Sequence, residues 1–216
     1  MKPKIIIFDF DGTLGDTRHN IILTLQATMR DRGLELRSDE ECAATIGLTL
    51  LDSFRTMYPS MSDEDAEACV KHYRDIFYRS IEESIPQLFP GVAPTLERLR
   101  DMGVVMSIAS SRSSPSLLLF IRSMGIADHF SLVLGSDSVE NHKPHPEPVL
   151  KTLEKLLFKP SEAIVVGDMP VDIVMARNAS VPSVGVSYGN ATREELVAAG
   201  ADYVIDNFAE LLDIIK

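Results

Sequence analysis

Near its N-terminus the chain reads Ile5-Ile6-Ile7-Phe8-Asp9-Phe10-Asp11-Gly12-Thr13. Four large apolar residues in succession are typical of a strand that is buried on both faces, as in the middle of a parallel sheet. The apolar run ends at two carboxylates, Asp9 and Asp11. Ligands of open α/β sheets bind at the carboxyl ends of the strands, so both acids stand where a site is expected. A purely structural interpretation also exists, because Asp-Gly is a common turn dipeptide.

Apolar runs of strand length recur along the chain and alternate with stretches of helical periodicity. Strands are predicted at residues 4–8, 104–109, 132–134, 163–166, 183–186 and 203–205. Helices are predicted at residues 94–102, 115–124, 146–157, 170–179 and 193–199. Such alternation is typical of βαβ units. The sequence therefore predicts an α/β fold with a doubly wound, mostly parallel, Rossmann-like sheet.

One segment interrupts the alternation directly after the first strand. From Asp16 to about Ile85 the pattern is helical and no convincing strand is present. Two capping-box patterns predict helix starts in this segment, one formed by Ser38 with Glu41 and one formed by Ser62 with Asp65. Prolines 86 and 90 with Gly91 mark the exit, a candidate hinge region. We therefore predict a core of residues 1–15 and 86–216 and an inserted α-helical cap of residues 16–85.

Composition excludes several classes of partner. Among 216 residues, 45% are hydrophobic and 25% are charged, as in ordinary globular proteins. The formal net charge of −11 disfavours nucleic acid and anionic membranes as partners. Neither a membrane-length apolar run nor a signal-peptide pattern is found, so we expect a cytoplasmic protein, either monomer or homodimer. The only cysteines, Cys42 and Cys69, lack paired spacing and are predicted to be reduced thiols.

More acids follow the strand predicted at residues 163–166. Gly167 and Asp168 come directly after it, and Asp172 lies four residues further on. Pro170 is well placed to open the next helix, since proline suits the first helical position. Two further carboxylates are therefore expected at the edge of the sheet that carries Asp9 and Asp11.

Hydroxyls and one lysine complete the set of polar residues near the strand ends. Ser110, Ser111 and Arg112 follow the strand at 104–109, and Pro115 opens the next helix. Hydroxyls near a helix N-terminus favour an anion, most naturally a phosphate. Lys143 lies in a loop that two flanking prolines stiffen.

This set of residue types points to phosphoryl transfer. Carboxylates without Cys or His ligands suit a hard cation, and Mg²⁺ prefers one or two carboxylates together with substrate phosphate. A carboxylate can act as a nucleophile toward phosphorus and form an aspartyl-phosphate. A second acid can protonate the leaving oxygen and later deprotonate water. Lys143 would neutralise charge on the transferred phosphoryl group.

With these residues in this order, the chain resembles the haloacid dehalogenase superfamily of phosphatases along nearly its whole length. The resemblance is to its phosphoglycolate-phosphatase and β-phosphoglucomutase-like branch, which has a helical cap after the first motif. Residues 9–13 look like the first motif and Ser110 like the second. Lys143-Pro144 looks like the third, and Gly167-Asp168 with Asp172 looks like the fourth.

The resemblance implies a role for each matching residue. Asp9 would be the nucleophile and a metal ligand, and Asp11 the acid/base that also binds the metal through its backbone carbonyl. Asp168 would be the second carboxylate ligand of Mg²⁺, supported by Asp172, and Lys143 the charge stabiliser. Phosphate binding is assigned to four residues, namely Gly12, Ser110, Ser111 and Arg112. Two departures from the pattern, Gly15 and Ser180, remove no chemical group.

We expect a Mg²⁺-dependent phosphatase that hydrolyses a small phosphorylated metabolite. Phosphoglycolate is the leading substrate by resemblance alone, and a phosphomutase or pyrophosphatase of the same superfamily is the alternative. Arg18, His19 and Thr49 are candidate contacts for the leaving group. Each has an equally good interpretation as an ordinary helix-surface residue.

Three other interpretations are weighed against this one. Gly185-Val186-Ser187-Tyr188-Gly189 matches a serine-hydrolase elbow, but no His follows it, so Ser187 is predicted to be a loop serine. His142 and His145 are predicted to be loop residues rather than ligands of a transition metal. A receiver-like signalling domain also collects acids and a lysine at strand ends, but it needs no helical insert and is about half as long. Repeated release of phosphate by each chain distinguishes a phosphatase from a receiver-like domain.

Overall fold

The computed structural model describes residues 2–80 and 85–215. Its strands are β1 Ile5–Phe8, β2 Gly15–Asp16, β3 Gln87–Leu88, β4 Val105–Ala109, β5 Leu132–Leu134, β6 Ala163–Gly167, β7 Ser183–Val186 and β8 Tyr203–Ile205. Its α-helices are α1 Arg18–Asp31, α2 Asp39–Ala43, α3 Leu50–Met57, α4 Asp63–Ser80, α5 Val92–Asp101, α6 Ser114–Ser123, α7 Glu147–Leu156, α8 Pro170–Asn178, α9 Arg193–Ala198 and α10 Leu211–Ile214. Short 3₁₀ helices occur at Ala127–His129, Ser136–Ser138, Pro160–Glu162 and Phe208–Glu210.

Six strands form one parallel sheet in the order β5-β4-β1-β6-β7-β8. Strand β1 lies in the middle, where Ile5 pairs with Val105 of β4 on one side and with Ala163 of β6 on the other. From β1 the sheet is built outward through β4 and β5 on one side, and then through β6, β7 and β8 on the other. The strand order therefore reverses beside β1, and a ligand site is expected at the end of this strand. The predicted α/β fold with a doubly wound parallel sheet is confirmed.

Both faces of β1 are covered, as its uninterrupted apolar run predicts. Ile6 and Phe8 belong to the large hydrophobic cluster that extends to the helices between β1 and β4. Ile5 and Ile7 point to the opposite face and pack in a second cluster with side chains of α7 and α8. All four side chains are fully buried. Successive strand residues point to opposite faces, so a strand with helices on both sides must be apolar at every position.

Helices α1–α4 follow the first strand and are called the helical insert below. Ser38 caps α2 with a reciprocal capping box to Glu41, and the Ser62 hydroxyl accepts the backbone N–H of Asp65 at the start of α4. Both predicted helix starts are therefore present. Residues 81–84 of the predicted segment 16–85 lie outside the described part of the chain.

The chain crosses into and out of the insert through a small ribbon that the sequence did not indicate. Strands β2 and β3 pair antiparallel, with Gly15 opposite Leu88, and the backbone N–H of Phe89 donates to the carbonyl of Leu14 at 3.0 Å. Gly15 is buried against the ring of Phe10. Strands of two residues carry no readable periodicity, which explains why the pattern of residues 14–16 and 86–90 did not predict them.

Two smaller expectations concern the cysteines and the membrane. Cys42 and Cys69 are both free and buried, in agreement with the prediction of reduced thiols. Within residues 2–80 and 85–215, no helix combines the length and apolarity that a membrane span requires.

Candidate active site

The strand ends bring the acids together at one edge of the sheet. Asp9 follows β1, Asp168 follows β6, and Asp172 lies in the first turn of α8, with all three side chains buried. One carboxylate oxygen from each lies within 4.8 Å of the others. The parallel pairing of β1 with β6 explains this convergence, because their carboxyl ends point the same way.

Lys143 lies between two of these carboxylates. Its Nζ donates to Oδ1 of Asp9 at 2.5 Å and to Oδ1 of Asp172 at 2.6 Å. The Lys143 side chain is 2% exposed, so the ammonium group is held out of water by the protein. The other oxygen of Asp172 accepts the backbone N–H of Met169, which orients this carboxylate toward Lys143.

Asp168 is held by a residue that the sequence prediction did not include. The backbone N–H and the side-chain amide of Asn190 both donate to Oδ2 of Asp168 at 2.8 Å, and the Thr13 hydroxyl donates to Oδ1 at 3.2 Å. Neighbouring Gly189 passes so close that an added Cβ would lie 2.5 Å from the carbonyl oxygen of Gly12. Asn190 follows Gly189 in the sequence, and nothing in that local pattern pointed to Asp168.

Burial and mutual repulsion shape the electrostatics of this cluster. Burial raises the pKa of Asp9 well above its ordinary value, Lys143 opposes the shift, and Asp172 and Asp168 add to it. Burial, followed by the charge of Asp172, raises the pKa of Asp168 to about 7. Burial would lower the pKa of Lys143, but its ion pairs with Asp172 and Asp9 raise it instead. The cluster therefore combines one ammonium group, that of Lys143, with three carboxyl groups.

The residues present fit a divalent cation. Three buried carboxylates with oxygens this close repel one another, and a hard cation bound by oxygen relieves that repulsion. The set contains neither Cys nor His, which matches Mg²⁺ better than a transition metal. Among the described residues, this group of carboxylates consists of Asp9, Asp168 and Asp172. The side chain of Asp11 is not part of it.

The structure places the Asp11 carboxylate on Arg112. Nη2 of Arg112 donates to Oδ1 of Asp11 at 2.6 Å, and Nε donates to Oδ2 at 3.1 Å, so the pair is bidentate. The guanidinium also lies over two rings, with its carbon 4.7 Å from the centre of Phe120 and 5.4 Å from that of Phe77. Arg112, which we predicted to bind phosphate, is thus engaged by Asp11.

The predicted hydroxyls lie beside this ion pair. Ser110 is buried, and its Oγ accepts the backbone N–H of Arg112 at 3.1 Å. Ser111 reaches across to the helical insert, where its hydroxyl donates to the carbonyl of Gly47 at 2.6 Å. At the start of α6, the N–H of Ser114 already donates to a carboxylate, that of Asp137 at 2.6 Å.

A cavity of about 330 Å³ opens between this edge of the sheet and the helical insert. Asp9, Asp11, Ser110, Ser111 and Arg112 line it on the core side, together with His142 and Asp137. Residues 45–51 line it on the side of the insert, and these include Thr49, a predicted substrate contact.

The other two predicted substrate contacts lie elsewhere. The described residues that line the cavity include neither Arg18 nor His19. Arg18 points toward Asn190, with Nη1 3.4 Å from its Oδ1, and His19 is exposed.

Other expectations about single residues can be compared with the structure. Ser187 donates to Oδ1 of Asp206 at 2.5 Å and to a backbone carbonyl of β8, as expected for a loop serine. The Nδ1 atom of His145 accepts the backbone N–H of Glu147. Ser180 has a φ of 57°, a left-handed conformation that glycine adopts most easily, so a serine at this position strains the backbone.

Comparison with known proteins agrees with this geometry. Residues 6–186 match the haloacid dehalogenase-like hydrolase family. The "Probable phosphatase IndB" of Dickeya dadantii is 34% identical over 214 residues, which cover 98% of this chain and 93% of that relative. A phosphoglycolate phosphatase of Vibrio vulnificus is 33% identical over 220 residues, covering 98% and 96% respectively. These relatives support a phosphatase enzyme.

Solved structures give the same result. A haloacid dehalogenase-like hydrolase from Bacteroides fragilis superposes with a TM-score of 0.92 at 30% identity, covering 97% of this chain and all of that one. A phosphatase from Clostridium acetobutylicum superposes with a TM-score of 0.90 at 26% identity, covering 100% and 99%. The family match over most of its length, with relatives that align from end to end, shows that this chain belongs to the haloacid dehalogenase-like hydrolase family.

Proposed function

We propose that this chain is a Mg²⁺-dependent phosphatase that hydrolyses a small phosphate monoester through an aspartyl-phosphate intermediate. The observation that carries the proposal is the position of Asp9. Its carboxylate lies at the end of the central strand, lines the cavity, and has Lys143 on one of its oxygens. The other oxygen accepts no hydrogen bond from the described residues, and it would attack phosphorus from the end of the central strand.

In the first step, an oxygen of Asp9 forms a bond to phosphorus while the bond from phosphorus to the leaving oxygen breaks. Asp11 donates a proton to that leaving oxygen. In the second step, Asp11 takes a proton from water, and the water oxygen displaces Asp9 from phosphorus, which releases inorganic phosphate. Ser110 and Lys143 contact the phosphoryl oxygens and stabilise their charge. Arg112 holds Asp11 in place between these steps.

The metal would be held by Asp9 and Asp168, with the backbone carbonyl of Asp11 as a third ligand. Asn190 and Thr13 orient Asp168, and Asp172 holds Lys143 toward Asp9. When bound, Mg²⁺ supplies positive charge that draws the phosphate monoester into an acidic cleft and stabilises the phosphoryl group in transfer.

The helical insert would act as the cap of the site, as the division into residues 16–85 and the remainder predicts. The contact between Ser111 and the carbonyl of Gly47 joins its loop to the core beside the cavity. Closure of the insert over the cavity would exclude bulk water from the reaction. Several relatives are named phosphoglycolate phosphatases, so phosphoglycolate is the first natural substrate to assay.

Phosphate release from p-nitrophenyl phosphate in the presence of Mg²⁺ tests the proposal. Asp9→Asn removes the nucleophile and should lower kcat by about 10³-fold or more. The control is Asp101→Asn, the same chemical change at an exposed residue near the end of α5. We expect the control to keep the parent rate and both variants to fold, as judged by circular dichroism.

Two further results would contradict the mechanism. Activity of Asp9→Asn near the parent level would remove Asp9 from its role as nucleophile. Full activity of the parent after EDTA treatment would show that the reaction does not require a metal. We also expect each chain to release many phosphates. A receiver-like domain, by contrast, would stop after one phosphoryl group.

A further inference from the structure

The wall of the cavity formed by the helical insert is apolar. Its side chains come from α1, the loop before α3, α3 itself and α4, and they include Leu25, Ile46, Leu48, Leu51, Val70 and Phe77. The core wall opposite carries carboxylates and serine hydroxyls. A volume of about 330 Å³ lies at the lower end of the range for small-molecule sites, roughly 300–1,000 Å³. The cavity is thus polar where phosphate would bind and apolar where the rest of the substrate would lie.

The threonine and serine hydroxyls on this wall are already engaged within the insert. Thr45 donates to the carbonyl of Cys42 at 2.8 Å, and Thr49 donates to Oδ2 of Asp52 at 2.6 Å. Ser53 donates to the carbonyl of Thr49 at 3.0 Å. A ligand would have to compete with these intramolecular bonds, so the wall presents mainly carbon atoms to the cavity.

Two arginines line the cavity, and the one at its core side is held by a carboxylate. Arg112 forms the bidentate pair with Asp11. Arg74 is the only charged residue of the insert among the described lining residues, and it forms no ion pair within 4.0 Å with the described carboxylates. Burial would raise the pKa of Asp137, but the hydrogen bond from Ser114, with a weaker contribution from the charge of Arg74, lowers it. The remaining basic side chain on the described lining, His142, lies on the core side.

We propose that the substrate is a phosphate monoester whose leaving group is neutral and largely apolar, a hydrophobic alcohol or phenol rather than a hydroxy acid. This inference rests on the proposed phosphatase function. A carboxylate on the leaving group would lose water against the wall of leucine, isoleucine and valine. To gain Arg112 it would have to displace Asp11, and near Arg74 it would also meet the negative charge of Asp137. An alkyl or aryl group gains free energy from the same burial.

A series of alkyl phosphates tests the inference with little change in the chemistry of the leaving oxygen. We would measure kcat/KM with Mg²⁺ for ethyl, butyl and hexyl phosphate. If each added methylene is buried, kcat/KM should rise by up to about fourfold per methylene. Isobutyl phosphate is the neutral counterpart of phosphoglycolate, since two methyl groups replace the carboxylate oxygens. We expect isobutyl phosphate to have the higher kcat/KM.

Leu48→Asn places an amide on the apolar wall and should reduce the ratio of kcat/KM for hexyl phosphate to that for ethyl phosphate. The control is Leu23→Asn, the same change at a residue of α1 that is 47% exposed. It should keep the parent ratio. Because both rates are measured on the same preparation, the ratio does not depend on the fraction of protein that is folded.

The outcomes separate the two proposals. Two results would overturn the proposal of an apolar leaving group and leave the proposed phosphatase function intact. One is a kcat/KM that does not change along the alkyl series, and the other is a higher kcat/KM for phosphoglycolate than for isobutyl phosphate. An unchanged ratio in Leu48→Asn overturns the role of this wall. Absence of Asp9-dependent phosphate release from every ester, p-nitrophenyl phosphate included, overturns the phosphatase function and this inference with it.

Discussion

The two walls of the cavity are built on opposite principles. At the core wall, Asp9 is tied to buried charges, because Lys143 donates hydrogen bonds of 2.5 Å to Asp9 and of 2.6 Å to Asp172. On the wall of the insert, polar groups such as Thr45 and Ser53 bond inward and leave carbon facing the cavity. The chemistry that we propose at the core wall would depend on a few charges in fixed positions. The selection that we propose at the opposite wall would depend on the sum of many weak apolar contacts, so single substitutions in the two walls should differ greatly in effect.

Lys143→Met should have the largest effect. It removes the only lysine from the cluster and leaves the carboxylates of Asp9 and Asp172 buried without their partner. We expect the free energy of unfolding in metal-free buffer at pH 7 to fall by about 3 kcal/mol, because breaking a buried pair leaves an uncompensated charge. Urea denaturation measures the change.

Added Mg²⁺ provides the control for this variant. A bound cation replaces part of the lost positive charge, so Mg²⁺ should stabilise Lys143→Met more than it stabilises the parent chain. Equal stability of variant and parent without metal would contradict the view that charge compensation holds the core wall together.

Gly47→Ala should have an intermediate effect, because it acts where the two walls touch. Gly47 has a φ of 95°, and an added Cβ would lie 3.3 Å from side-chain atoms of Met169 and Val171 in the core. The left-handed conformation and the close contact together should cost about 2 kcal/mol.

The matched control is Gly33→Ala, where φ is 67° and no atom lies within 4 Å of an added Cβ. This variant bears the conformational cost alone, about 1 kcal/mol. The difference between the two midpoints of thermal unfolding measures the contact between insert and core. Identical midpoints would show that this contact does not contribute to stability.

Glu147→Gln should have the smallest effect, and it depends on pH. Glu147 accepts the backbone N–H groups of Glu140 and Asn141, both at 2.8 Å, in the loop that leads to Lys143. The hydrogen bond from Glu140, followed by those from Asn141, lowers the pKa of Glu147 from 4.5 to about 2. A carboxyl whose pKa falls on folding stabilises the folded state above its unfolded pKa.

We therefore expect the parent to melt at a slightly higher temperature than Glu147→Gln at pH 7. The advantage should shrink as the pH falls from about 4.5 toward 2, where Glu147 becomes protonated in the folded state. Thermal unfolding of both proteins across this range checks the sign. A difference that is independent of pH would show that the charge of Glu147 contributes nothing.

The contrast between the walls also explains what the sequence could predict. The strand ends were readable, because an apolar run that stops at Asp9 or Asp168 is a local signal, and the structure brings both residues together with Lys143. The pairing of Arg112 with Asp11 was not readable, since the two residues are 101 positions apart and no local pattern links them. The same holds for Asn190 and Asp168.

The apolar wall of the cavity could not be predicted from the sequence, for a different reason. Leu25, Leu48 and Val70 belong to separate helices and loops, and each looks like an ordinary core residue of an amphipathic segment. Only their assembly in three dimensions shows that they surround a cavity. Helical periodicity predicts which side of a helix is apolar, but it does not distinguish a side that packs against protein from one that faces a ligand.

The position of Arg112 between two rings links the entrance of the cavity to Asp11, the proton donor that we propose. Phe77 belongs to the insert and Phe120 to the core, and the guanidinium packs against both while it holds Asp11. If the insert moves away, Arg112 loses one ring and water reaches the ion pair, whose attraction weakens as the local dielectric constant rises. The ion pair that holds Asp11 and the opening of the cavity are therefore linked, so the displacement that admits a substrate also loosens the carboxylate that we propose to act on it.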